Sequence, residues 1–148
     1  LDFWQSLKGL GAACSAARPS GTVIFAAPCP EGVCASHPEF AALGFKHSAS
    51  HIQNLVATGQ LCPIPAVATW LGTRMLERVN VTLVSKGVSA AEATAMGLDY
   101  ASDPAEALAR ALRRHGASAR INVLHKAAKM ICSAQSGDSA VQTSKKEA

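Results

Sequence analysis

Aromatic residues are scarce in this 148-residue chain: four Phe, two Trp and one Tyr, 5% of the whole. So few rings leave little for stacking on bases, and the fourteen Lys and Arg are scattered over helix faces and the C-terminal tail. A net charge of +4 without a basic stripe excludes the usual nucleic-acid binder and suits solubility or the attraction of small anions. Charge of either sign is also thin, at 16% against 49% hydrophobic residues, which is little for a surface that is wet all round. No apolar run approaches the roughly 20 residues of a membrane span, and the N-terminus lacks the basic start and cleavage pattern of a signal peptide, so no membrane partner is expected. The five cysteines, Cys14, Cys29, Cys34, Cys62 and Cys132, are odd in number and irregular in spacing. Such a set reads as reduced thiols in a cytoplasmic protein rather than as a disulfide framework. The chain opens at Leu1 in place of Met, directly in a helical pattern, and is expected to be part of a longer protein.

What is present is an alternation of strand and helix. Thr22–Ala27, Val81–Val84 and Arg120–Leu124 are short apolar runs without strict alternation, with a weaker run at Leu98–Ala101. Strands of this kind are buried on both faces, and helical patterns between them predict a parallel, helix-covered sheet. Ser89 with Glu92 forms a capping box ahead of Gly97. Asp103, Pro104 and Glu106 open a further helix that closes with Arg113, Arg114, His115 and Gly116 and turns Ala105, Leu108, Ala109 and Leu112 inward. Between the first two strands lie a breaker-rich loop at Cys29–Pro38, short helices near Glu39–Phe45 and Ser50–Thr58, and a helix from Ala66 to Arg78 predicted to bury Val67, Trp70, Leu71 and Met75. The predicted architecture is a small Rossmann-like, three-layer α/β domain over residues 1–132 with a mostly parallel sheet of three or four strands, followed by a disordered polar tail over 133–148.

Chemistry concentrates in the first helix. At about 100° per residue, Phe3, Leu7, Leu10, Cys14 and Ala17 share one stripe, whereas Trp4, Lys8, Gly11 and Ser15 lie opposite with Gln5 at the edge. An exposed helix face normally carries several charges; this one has a single Lys beside an indole and an amide, as expected of a face covered by a ligand or another domain. Trp4 and Lys8 at i, i+4, with Gln5 within i, i+3 of Lys8, can hold a carboxylate or phosphate against an apolar wall. A plain amphipathic helix with one surface Lys accounts for the same residues.

Other constellations are weaker. Cys29, Cys34 and His37 lack a fourth ligand and a second knuckle for zinc and read better as thiols filling a loop. Ser85-Lys86-Gly87-Val88-Ser89 joins a strand's carboxyl end to a helix, where parallel sheets hold anions, so Lys86 and Gly87 are candidate anion contacts. No G-x-G-x-x-G or G-x-x-x-x-G-K-[ST] pattern accompanies them, and an ordinary strand-to-helix turn suffices. His47 and His51 stand at i, i+4 without a neighbouring Glu, and His125 follows the last predicted strand. Each reads as a surface or packing residue. No G-x-S-x-G elbow and no paired carboxylates are present, and no catalytic residue or metal ligand is assigned to the chain.

In order, Phe3-Trp-Gln-Ser-Leu-Lys-Gly-Leu10, Gly21-Thr-Val-Ile-Phe, Cys29-Pro-Glu-Gly32, Val81-Thr-Leu-Val-Ser-Lys-Gly87, Met96-Gly-Leu98 and Asp103-Pro-Ala-Glu-Ala-Leu108 resemble the C-terminal domain of the nickel-dependent lactate racemases, from about Leu1 to Ile131. The resemblance implies a two-domain isomerase acting on 2-hydroxy acids by hydride exchange at the α-carbon. It also implies a nickel-pincer nucleotide held by an N-terminal domain and none held by this chain alone. It assigns substrate contact to Trp4, in place of the family's usual Tyr, to Gln5 as a hydrogen-bonding group, and to Lys8 as the anion contact. The chain departs from the family pattern at Cys34, at Trp70 and at His125-Lys-Ala-Ala. Three readings therefore stand: a substrate-contacting domain, inert alone, that works with an N-terminal catalytic domain and a small 2-hydroxy acid; a non-enzymatic Rossmann-like module that docks a partner protein through the first helix; and a small-anion binder using Lys86 and Gly87.

Overall fold

Three parallel strands in the order β1-β2-β3 form the sheet of the computed structural model, which describes residues 1–132. The predicted polar tail, 133–148, lies outside the described residues. β1 (Thr22–Ala26) pairs with β2 (Asn80–Val84) along its whole length, from Thr22 opposite Asn80 to Ala26 opposite Val84. β3 (Asp99–Tyr100) adds a short edge, Asp99 opposite Thr82 and Tyr100 opposite Leu83. The helices are α1 (Phe3–Ala16), α2 (Pro38–Leu43), α3 (Ala49–Ala57), α4 (Pro63–Arg78), α5 (Ala90–Met96) and α6 (Pro104–His115).

Strand alternation sends successive side chains to opposite faces. Phe25 meets Phe3 of α1 edge-on with ring centroids 6.4 Å apart, while Thr22 Oγ1 lies 2.8 Å from His115 Nε2 of α6. Hence α1 and α6 sit on opposite sides of the sheet. The main core gathers Phe3, Leu10, Phe40, Phe45, Leu83, Val88 and Met96 on and beside the sheet, and a smaller one joins Ile52, Leu61 and Ala66 between α3 and α4.

Capping follows the residues. Asp2 accepts from the Gln5 amide, and the first two helical amides donate to the 29–34 loop, Phe3 to Gly32 O at 2.9 Å and Trp4 to Val33 O at 3.0 Å. Ser89 and Glu92 complete the expected capping box, Gly97 ends α5 in the left-handed region at φ 93°, and Asp103 caps α6 with Pro104 at its start.

Three expectations need correction. Arg120–Leu124 forms no strand: Ile121 is 58% and Val123 87% exposed. A strand buried on both faces needs a covering helix on its far side. Among the described residues only the short 3-10 turn Ala127–Lys129 follows, and the chain there folds back onto α1, where Ala128 N comes within 3.4 Å of the Cβ position at Gly9. In α6 the buried position is Ala107, while Ala105, Leu108 and Ala109 face outward; small alanine, not leucine, fits its close approach to the sheet.

The third correction matters most for function. α4 buries Pro65, Ala66, Thr69 and Gly72 and leaves Ile64 61%, Val67 57%, Trp70 41% and Leu71 44% exposed. A Cβ at Gly72 would overlap the Phe45 ring, so the core reaches α4 along its small residues. Ile64, Val67, Trp70 and Leu71 remain outside, while Met75 and Leu76 are partly buried against the core.

Candidate functional site

The exposed side of α4 stands next to the sparsely charged side of α1. The two helices run in the same direction: Met75 approaches Gly11, and farther along Arg78 donates to the carbonyls of Cys14 and Ala17, each at 2.6 Å. The second bond satisfies the Ala17 carbonyl just past the end of α1, and the first adds a donor to the Cys14 carbonyl, which the Ala17 amide reaches at 3.3 Å. Earlier along both helices lies a groove of about 300 Å³, walled by Trp4, Leu7, Ile64, Val67, Leu71 and Met75, with Lys8 at its border.

Trp4 is half-buried and fixed from behind. Its ring system lies 5.0 Å from that of His37, tilted at 34°, and 4.8 Å from Phe40 in an edge-on contact. His37 in turn has Glu39 Oε1 at 3.4 Å from its Nδ1. Such packing leaves the indole few rotamers, so this wall exists before anything binds. Sequence reasoning treated His37 as a metal candidate and missed its role as a support for Trp4; no periodicity links a loop imidazole to a helix residue 33 positions earlier.

Lys8 and Gln5 are exposed, and the Lys8 ammonium lies 3.4 Å from Gln5 Oε1. Among the described residues no carboxylate pairs with Lys8, since the ion pairs there are Leu1 with Glu31, His37 with Glu39, Arg74 with Glu77 and Arg110 with Glu106. An ammonium with an amide beside it at the edge of an apolar trough can bind one carboxylate while the trough takes the rest of the molecule.

The other candidates are placed differently. Gly87 packs where a Cβ would strike Cys29 O, and its amide already donates to Pro28 O at 2.9 Å. Ser85 Oγ accepts from the amides of Gly87 and Val88 and donates to Pro28 O at 3.1 Å. The amides of this turn thus serve to join two loops, and Lys86 projects outward from them. Cys29, Cys34 and His37 do not converge: Cys29 Sγ meets Ser6 Oγ at 3.7 Å, Cys34 Sγ meets Ser36 Oγ at 3.5 Å, and His37 stacks on Trp4. No group of three or more His, Cys, Asp or Glu fit to hold a metal occurs among the described residues. His47 and His51 stack with ring centroids 4.8 Å apart, and His125 is exposed. All five cysteines are free; burial pushes the Cys14 thiol up to about 11, with the Arg78 guanidinium pulling weakly the other way. No helix among the described residues is long and apolar enough to cross a membrane.

Fold and groove together define the class: a parallel α/β domain that presents a preformed apolar trough with one cation at its edge. The chain belongs to the lactate racemase C-terminal domain family, whose model matches residues 1–132. The fold is similar to that of the lactate racemase apoprotein from Thermoanaerobacterium thermosaccharolyticum, with a TM-score of 0.71 at 23% sequence identity over 88% of this chain. The match spans 31% of that protein. No curated protein matches the chain.

Proposed function

We propose that this chain is a domain of a 2-hydroxy-acid racemase or epimerase, in which residues 1–132 contact the substrate and a separate N-terminal domain, in the same or another chain, carries the catalytic machinery. The observation that supports this most is Lys8 at the border of the α1–α4 groove with Gln5 beside it, on the helix whose residues resemble the family's substrate-contacting segment. Lys8 binds the substrate carboxylate, Gln5 donates to or accepts from a substrate oxygen, and Trp4 with the α4 residues excludes water from the α-carbon. Holding the carboxylate at one point fixes which bond of the α-carbon faces the opposite domain. Covering the groove keeps solvent from the reacting centre.

A nickel-pincer nucleotide, the cofactor of this enzyme class, would supply reversible hydride acceptance. The donor set of this chain does not fit it, because the nearest thiol and imidazole candidates, Cys29, Cys34 and His37, each have separate partners. In this reading the cofactor sits with the N-terminal domain, and this chain alone is inert. The five free thiols favour a reducing, cytoplasmic setting.

Replacing Lys8 by Ala in the full-length protein tests the reading. Turnover of the 2-hydroxy acid falls tenfold or more, with KM rising, because the carboxylate loses a charge-assisted bond worth about 1.5–3 kcal/mol. Thermal stability stays within about 0.5 kcal/mol, as for other exposed positions away from caps and cores. A large loss of stability with unchanged turnover contradicts it.

A second reading draws on the exposed row Ile64, Val67, Trp70 and Leu71. Apolar surface of this kind also suits a non-enzymatic module that docks a partner protein along α1 and α4. In that case Lys8→Ala alters association and no hydroxy acid binds.

A further inference from the structure

We infer that the substrate is a 2-hydroxy acid with a single carboxylate and an apolar side chain larger than methyl, branched or aromatic. This rests on the reading of the α1–α4 groove as a substrate site and names what the groove selects. Its chemistry is that of an amphiphilic monoanion turned inside out. Lys8 stands at the border, and the walls that Trp4, Leu7, Val67, Leu71 and Met75 contribute carry no side-chain donor except the indole N–H and no acceptor stronger than a thioether.

Size argues against a methyl side chain. A groove of about 300 Å³ is several times the volume of a molecule with three carbons, so such a substrate would leave most of α4 uncovered. Each further methylene laid against an apolar wall strengthens binding about fourfold. Side chains of four to seven carbons therefore gain far more from this site than a methyl does.

Polarity argues against a second carboxylate or a row of hydroxyls. Thr73 Oγ1, the nearby hydroxyl on α4, already donates to Thr69 O at 3.0 Å. The charged residues at the far end of α4, Arg74 and Glu77, pair with each other. A dicarboxylic or sugar-derived hydroxy acid would thus press a hydrated group against Ile64, Val67 or Leu71 without a partner, which discriminates strongly against it. Because Trp4 is held by His37 and Phe40, the wall does not fold away to accommodate a smaller or more polar guest.

The test uses the full-length protein with its cofactor. Racemisation of lactate, malate, 2-hydroxyisocaproate and 3-phenyllactate is followed by chiral chromatography, and binding of the same four acids to the cofactor-free full chain is followed by titration calorimetry. Expected is a kcat/KM for one of the two apolar acids at least tenfold above that for lactate and malate, with the same order in Kd. Leu71→Asn then lowers kcat/KM for the apolar acids about tenfold more than for lactate; Leu71 is 44% exposed, and a circular dichroism melt checks that the variant folds. Racemisation with lactate or malate preferred overturns the inference while the racemase reading stands. If none of the four acids binds or turns over and Leu71→Asn instead releases a protein partner, both fall.

Discussion

Lys8 and Cys14, two turns apart on one helix, show how side matters more than neighbourhood. Lys8 extends into solvent beside Gln5, while Cys14 is 3% exposed beneath the Arg78 contact. With the Cys14 thiol raised from 9.0 to about 11 by burial, the folded chain keeps its proton where the unfolded chain releases it. That contribution to stability is complete below pH 9 and is lost as pH rises toward and through 11. Urea midpoints measured from pH 8 to 11 should fall less steeply for Cys14→Ala than for the unaltered protein; parallel curves would show that Cys14 does not drive the loss. Thr69 is a second buried residue with a measurable consequence. Its hydroxyl finds no hydrogen-bond partner among the described residues, so Thr69→Val, of similar shape, should stabilise the fold by about 1 kcal/mol in chemical denaturation. A loss of that size would reveal a partner for the hydroxyl.

α4 joins fold and function at the scale of an element. Its small side meets Phe45 and its large apolar side borders the groove, so two kinds of residue on one helix answer to two different constraints. Gly72→Val should cost about 1–3 kcal/mol by forcing the Phe45 ring aside, read as a fall in Tm. Arg78→Ala should cost about 1–2 kcal/mol, since it frees the Ala17 carbonyl and removes the stronger of two donors to Cys14 O at the end of α1, and unchanged stability would show that water replaces it without loss. The same helix marks the limit of legibility. Capping boxes and strands with local signals, such as Ser89 with Glu92 and Val81–Val84, were readable because their physics lies within a few residues. On α4, the rule that large apolar residues point inward failed for Val67, Trp70 and Leu71, though not for Met75, because the tight approach of Phe45 from another segment decided the orientation. For α1 the absence of charge pointed to Trp4, Gln5 and Lys8, and in the structure Trp4 and Lys8 border the groove while Lys8 and Gln5 stand exposed. The α4 half of the groove and the His37 support behind Trp4 depend on long-range packing and left no local pattern.

At the scale of the whole molecule, the chain places its sheet under helices on both sides yet leaves one apolar flank open, between α1 and α4. Ile64, Val67 and Leu71 form that flank, the surface that the proposed reading assigns to the substrate. The exposed Ile121 and Val123 lie on a different segment, one that joins α6 to the turn against α1, and serve as an internal reference. Covalent footprinting of the full-length, cofactor-loaded protein, with and without a saturating 2-hydroxy acid, tests the central claim most directly. The account predicts that labelling of Lys8, Val67 and Leu71 drops severalfold on adding the acid while that of Val123 and Leu108 does not change. Equal labelling of the groove in both states, or protection confined to Val123 and Leu108, would contradict it.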